Sequence, residues 1–250
     1  MAHTKGLRLS AALLAVLVWQ GAAMALDNPL LLAAPLQVAA RLLALLPTGG
    51  FWLALGRSFT RIVAGFLLAL GLSAALAALS ARFPLAETLL RPYVSVIRSV
   101  PVASFIVIAL LWLSAERLSV FISFLMVFPV LYTGLLQGLR EADPALREVA
   151  AVFRMSPARR IRAIYVPAVR PWLLSGARSG LGLCWKAGVA AEVIAAAADT
   201  VGGRLYDAKV YVQTADLFAW TAVIVAVSAG FERLFLRLAE WALDRWEGRE

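Results

Sequence analysis

Long apolar runs organise this chain. Leu9 to Leu26, Ile62 to Leu79 and Leu118 to Leu136 each pass without a charged side chain. Each is close to the roughly 20 residues that a bilayer core about 30 Å thick requires of a helix. Leu217 to Phe231 is shorter, resumes with Leu234, Phe235 and Leu236 beyond a charged pair, and counts as a fourth span. Val102 to Ser114 is apolar but short, and is expected to recruit residues from Val94 onward, with Arg98 and Pro101 near its entrance. Ser179 to Ala198 has the length of a span but contains Lys186 and Glu192. The pattern therefore predicts an all-α integral membrane protein with six transmembrane helices. Between the first two spans, Leu36, Ala39, Ala40, Leu43 and Leu46 recur at helical spacing while Gln37 and Arg41 fall elsewhere. That spacing suits a short helix lying in the membrane interface, punctuated by Pro29, Pro35 and Pro47. Residues 1–50 then hold an N-terminal helix and an outer segment, and residues 51–250 hold the remaining five helices.

The first span admits two readings. Lys5 and Arg8 precede an apolar run that ends in Ala23-Met24-Ala25, the layout of a secretory signal with a small-residue cleavage site. The run is also long enough to stay as an uncleaved anchor. Either outcome places Asp27 outside the cytosol.

Composition agrees with a lipid-embedded chain, since 62% of the residues are hydrophobic and only 16% charged, against about 45–50% and about 25% in soluble domains. The net charge of +9 would suggest nucleic acid in a soluble protein, so its distribution matters. With the N-terminus inside, cytosolic segments carry 17 Lys plus Arg and outer segments 6. The positive-inside bias thus places both termini in the cytosol and makes nucleic acid an unneeded partner. The sole cysteine, Cys184, excludes an intrachain disulfide and reads as a small apolar residue, and the sole histidine, His3, lies at the terminus. That inventory provides no histidine metal cluster, no Ser-His-Asp triad and no Cys-His pair.

The segment from Gln137 to Arg178 is too patterned for a plain connector. Asp143 followed by Pro144 reads as an N-cap with proline at the first helical position, and Ala145 to Met155 continues with good helix formers. Ser156-Pro157 repeats the signal, starting a second short helix through about Tyr165 that Pro167 and Pro171 are expected to stop. Two short helices at a sharp turn make a knob. Val149, Ala150, Val152, Phe153, Ile161, Ile164 and Tyr165 supply more apolar surface than a solvated loop needs, as if another protein gripped it.

Glu148-Val149-Ala150, three residues, Arg154, nine residues, then Ile164-Tyr165-Val166-Pro167 resembles the coupling-loop signature of binding-protein-dependent ABC importer permeases. The family pattern is Glu-Ala-Ala, three residues, Gly, nine residues, Ile-x-Leu-Pro. The spacing is intact, and the substantive departure is Arg154 at the glycine. Ser58-Phe59-Thr60-Arg61-Ile62 with Gly65-Phe66, Arg98-Ser99-Val100-Pro101-Val102-Ala103, and Ala190-Ala191-Glu192 are similar to the nitrate, sulfonate and taurine branch. Together the likeness runs from about Pro35 to the C-terminus.

The resemblance implies a pore-forming permease subunit, paired with a second copy, in a bacterial-type plasma membrane. Two cytosolic ATPases would each receive one knob, and an extracytoplasmic binding protein would deliver a small polar, anionic solute. Glu148 would anchor the knob, with Val149, Ala150, Arg154, Ser156, Pro157 and Ile164 around its turn and Pro167 ending it. The chain itself would not be an enzyme. ATP and magnesium would belong to the partner, and indeed no G-x-x-x-x-G-K-[ST] occurs here and no glycine precedes a lysine.

Lys186 and Glu192 each cost about 2.5–3.5 kcal/mol near the bilayer centre. Six residues apart on a helix they lie about 240° around and about 9 Å along, too far to pair. One reading has them lining the solute path, with Lys186 attracting an anion. The other has Lys186 snorkelling to the interface and Glu192 paired with an arginine on a neighbouring helix. Trp112, Trp185 and Trp220 read as packing or interface residues. Arg57 and Arg61 anchor the outer start of the second span, and Thr200 to Asp207 forms a glycine-containing outer turn. A single-chain secondary transporter or channel using Lys186 and Glu192 is the alternative class, but no repeated broken-helix pair supports it. An integral membrane enzyme lacks the clustered ionisable residues it would need.

Overall fold

A computed structural model describes residues 2–247. The side chains of residues 1–9 and 12 are outside it, so Lys5, Arg8 and His3 lie outside the described residues. The described chain folds into α1 (Ala2–Leu26), α2 (Pro35–Leu45), α3 (Gly49–Arg82), α4 (Pro84–Ser99), α5 (Val102–Ala109), α6 (Ala115–Arg140), α7 (Pro144–Val152), α8 (Pro157–Arg160), a π-helical turn (Ile161–Tyr165), α9 (Val166–Ile194), α10 (Val201–Val210) and α11 (Thr214–Glu247). No strand occurs among the described residues.

Three helices, α3, α6 and α11, are by themselves long and apolar enough to cross a bilayer. The fourth candidate differs from expectation. Rather than one span from Val94 through Ser114, α4 and α5 meet at 103°, as a broken span or a re-entrant hairpin. Pro101 is the cause: it disfavours helical backbone at the residue before it, and Val100 is extended at φ −84°, ψ 132°. Length and apolarity alone therefore give three spans, or four with the bent pair, and not six. The apolar part of α1 among described side chains covers only Leu13–Leu26, and α9 carries Arg170, Arg178, Lys186 and Glu192.

The short helix expected between the first two apolar runs forms as α2. It starts on Pro35, with the Ala34 N–H donating to Gln37 Oε1 at 3.0 Å. Arg41 on it makes a two-pronged contact with Asp216 at the start of α11, Nη2 to Oδ2 at 2.9 Å. That hydrogen bond holds the guanidinium protonated even more firmly than usual, with burial opposing.

The centre of the bundle is α3, α6 and α9, and small residues bring their backbones together. A Cβ placed on Gly65 of α3 would come within 2.5 Å of the Val120 carbonyl oxygen, and one on Gly188 of α9 within 2.5 Å of Ser123 Oγ and 2.7 Å of Ile62 Cγ1. At such range the serines of the core reach backbone carbonyls on other helices. Ser73 donates to Phe128 O at 3.1 Å, Ser119 to Gly188 O at 3.3 Å and Ser123 to Cys184 O at 3.2 Å. Between helices in lipid, close packing and such hydrogen bonds replace the hydrophobic effect as the source of association. Aromatic pairs, Phe66 with Phe235 and Phe59 with Phe231, fasten α11 to α3.

Gly188→Val should overpack this centre, at a cost of about 1–3 kcal/mol. Gly182→Ala, where a Cβ meets nothing within 4 Å, should be tolerated. Thermal unfolding of the two variants in detergent checks the contrast, and equal midpoints would contradict the packing.

Candidate functional site

The knob forms where the sequence places it, and its turn is built by three local devices. The Asp143 side chain accepts the Ala145 N–H at 2.8 Å and starts α7 with Pro144 in its first turn. At the far end the Met155 N–H returns to Ala150 O at 2.9 Å and the Arg154 N–H to Ala151 O at 3.1 Å. Arg154 itself stands at φ 48°. Those two bonds around a left-handed residue are the Schellman motif that closes a helix, and the left-handed position is where glycine is favoured. Arg154 thus occupies the glycine position of the coupling pattern with the backbone angle a glycine would take, despite its Cβ. Ser156 then caps α8, accepting the Arg159 N–H at 3.4 Å, and Pro157 leads it.

Beyond α8 the structure departs from expectation. Pro167 and Pro171 do not stop the second helix. The chain passes through a π-helical turn at Ile161–Tyr165, whose register is set by the Val166 N–H bonding Ile161 O, and continues as α9 with Pro167 in its first turn and Pro171 inside it. Proline lacks an N–H and crowds the carbonyl four residues back, and the wider turn directly before Pro167 absorbs both demands. Instead of ending the knob, Pro167 joins it to the longest helix of the central three after α3.

A small core holds the knob. Ala142, Ala150 and Ile164 are buried, with Met155, Tyr165 and Ala168 against them. Leu146, Val149, Val152 and Phe153 remain exposed, the last two at 79% and 76%. Glu148 is exposed and without a partner among the described residues. The arginines of this segment divide into two groups. Arg140 pairs with Glu87, Arg170 with Asp244 and Glu247, and Arg178 lies 3.9 Å from Glu232. Arg147, Arg154, Arg159, Arg160 and Arg162, all on the knob, form no ion pair among the described residues. The knob therefore offers uncovered apolar surface and five arginines without an ion pair among the described residues, with Asp143 and Glu148 as its acids.

Lys186 and Glu192 fall on different sides of α9. Lys186 is exposed and has no partner among the described residues. Glu192 is fully buried, and it bonds a serine and a backbone N–H rather than an arginine. Ser58 Oγ of α3 donates to Glu192 Oε2 at 2.6 Å and accepts the Val201 N–H at 2.9 Å, while the Gly202 N–H donates to the same Oε2 at 3.1 Å. The carboxylate thus satisfies the opening N–H groups of α10, directly and through Ser58, where the helix dipole favours negative charge. Thr200 completes the start of α10 by accepting the Gly203 N–H at 2.9 Å. A Cβ on Gly202 would lie 2.2 Å from Glu192 Cβ, so only glycine admits this approach. The sequence reading missed the joint. Its signal was Ser58 between Arg57 and Arg61 at the outer start of the span and a Thr-x-Gly-Gly start.

Comparison with known proteins now decides the class. Residues 68–241, from mid-α3 through the knob and into α11, match the family model described as binding-protein-dependent transport system inner membrane component. The chain belongs to that family. Similar curated proteins include the putative aliphatic sulfonates transport permease protein SsuC of Bacillus subtilis, 30% identical over 97% of this chain and 87% of that one. The taurine transport system permease protein TauC of Escherichia coli is 29% identical over 96% and 90%. The bicarbonate transport system permease protein CmpB of Synechococcus elongatus is 26% identical over 79% and 71%.

Two substitutions test the geometry. Arg154→Gly should slow hydrogen exchange across 149–156 and Arg154→Val should speed it, because a left-handed residue with a Cβ costs about 1–2 kcal/mol; the reverse order would contradict the turn. Glu192→Ala should lower the unfolding midpoint by stranding buried donors at about 1–3 kcal/mol each, while Lys186→Ala should leave that midpoint nearly unchanged.

Proposed function

We propose that this chain is the pore-forming subunit of an ATP-driven importer that takes a small anionic solute from an extracytoplasmic binding protein. In this reading the pore is a homodimer, both termini are cytosolic, and α1 and α9 cross the bilayer beside α3, α6, α11 and the bent α4–α5 pair, making six. The names of the sulfonate, taurine and bicarbonate relatives support the solute class.

One observation carries the mechanism: the knob is continuous with α9 through the π-helical turn. Two cytosolic ATPases hold ATP and magnesium, and each grips one knob. Val152 and Phe153 fill the groove, the free arginines meet acidic groups on its rim, and Glu148 fixes orientation through a charged hydrogen bond. The knob is stiffened by its caps and by the buried Ala150–Ile164 contact. Closure of the ATPase pair therefore moves α9 with it rather than bending a loop. α9 packs on α3 and α6 and carries the Glu192 joint to α10, so a push at the knob reaches the outer end of the bundle. Lys186, exposed on α9, faces the second copy and the solute path, where its charge favours an anion.

Co-expression with the neighbouring ATPase and binding-protein genes tests this. The ATPase should copurify with the chain, and Glu148→Ala or Phe153→Asp should cut binding-protein-stimulated ATP hydrolysis at least about tenfold while the isolated permease keeps its unfolding midpoint. Transport by the chain alone, or hydrolysis indifferent to both changes, would overturn the reading.

A further inference from the structure

Apart from the knob and the Glu192 joint, the polar clefts among the described residues include one rich in arginine. It lies between α4 and α6 and measures about 620 Å³, within the roughly 300–1,000 Å³ of small-ligand sites. Glu87, Arg91, Ser95 and Arg98 of α4 line one wall, at the spacing of a single helix face, with Thr133, Gln137 and Arg140 of α6 opposite and Tyr132 at its floor.

The charges do not balance. Three arginines share one carboxylate, and Glu87 is spent on Arg140. Arg91 and Arg98 have no partner among the described residues, nor does Ser95. Seven residues apart on one helix, the two arginines stand about two turns, or about 10 Å, along the axis. Both arginines are exposed to the cleft, and the planar fork of a guanidinium matches the oxygens of a carboxylate, sulfonate or phosphate. Tyr132 is buried and already bonded to Ser80, so the floor is rigid. The only aliphatic lining residues are Val94 and Leu136, which is no track for acyl chains.

We infer that this cleft is an oxyanion site, in which Arg91 and Arg98 receive the anionic head of the solute where it leaves the pore on the cytosolic side. The inference rests on the permease reading and extends it, by giving the solute a site within this chain. Arg98 stands three residues before Pro101, so the 103° break between α4 and α5 adjoins the site.

The test uses the permease–ATPase complex in phosphatidylcholine nanodiscs, with ethanesulfonate and bicarbonate as probes and chloride as control. A wild-type chain that brings down no ATPase fails the permease reading before any anion is added. In the intact complex, millimolar ethanesulfonate or bicarbonate should raise the unfolding midpoint where chloride does not. Arg91→Gln with Arg98→Gln should increase the concentration needed at least about tenfold. Arg98→Lys, which keeps the charge and loses the fork, should fall between, and it serves if the double variant does not assemble. No response to either oxyanion, or an equal response in the variants, overturns the site while leaving the permease reading intact. A midpoint raised only by phosphatidylglycerol in the disc assigns the cleft to a lipid headgroup and equally overturns it.

Discussion

A polar group taken into the bilayer must find its partner inside the protein, because lipid offers none. This constraint accounts for most of the polar architecture. Ser73, Ser119 and Ser123 spend their hydroxyls on backbone carbonyls of facing helices, and glycines at Gly65 and Gly188 bring those helices close enough to be reached. Glu192 follows the rule through one oxygen only: Oε2 is bonded, while Oε1 is buried without a hydrogen-bond partner among the described residues. Its carboxyl group lies at the start of α10 and shares Ser58 with it, so three helices meet at one buried acidic side chain. Truncating such a group leaves the surrounding donors stranded.

The knob follows the opposite rule. Outside the hydrocarbon unpaired charge costs little because water solvates it, whereas open apolar surface is penalised, and the knob keeps both. The arginines of the long segment that lie near the bundle are paired, and those on the knob are not. The contrast separates a surface that holds this chain together from one that the described residues leave uncovered. The π-helical turn between them joins the knob to α9 without a break in the helix.

How much was legible in advance depends on whether the determinant was local. The caps at Asp143 and Ser156 and the short helix α2 were readable, because each is written in a few adjacent residues whose side chains bond nearby backbone. The bend at Pro101 was half readable: the proline was visible, but adding residues from Val94 for length overrode its effect on Val100. Pro167 and Pro171 misled for the converse reason. A helix stop was inferred from their missing N–H groups, and only a wider turn upstream, invisible in composition, lets the helix pass through.

The sequence by itself determined the solvent of this protein and the capped starts of the two knob helices, since periodicity and capping act over a few residues, while the glycine-like backbone of Arg154 came only with the fold. Tertiary structure decided what Lys186 and Glu192 do not share, why Ser58 stands in α3, and which arginines stay unpaired. Those outcomes depend on residues more than a hundred positions apart being brought within hydrogen-bonding reach. Ser58 and Glu192 are 134 residues apart and meet at 2.6 Å. No local pattern encodes that meeting, because it exists only once α3, α9 and α10 have packed.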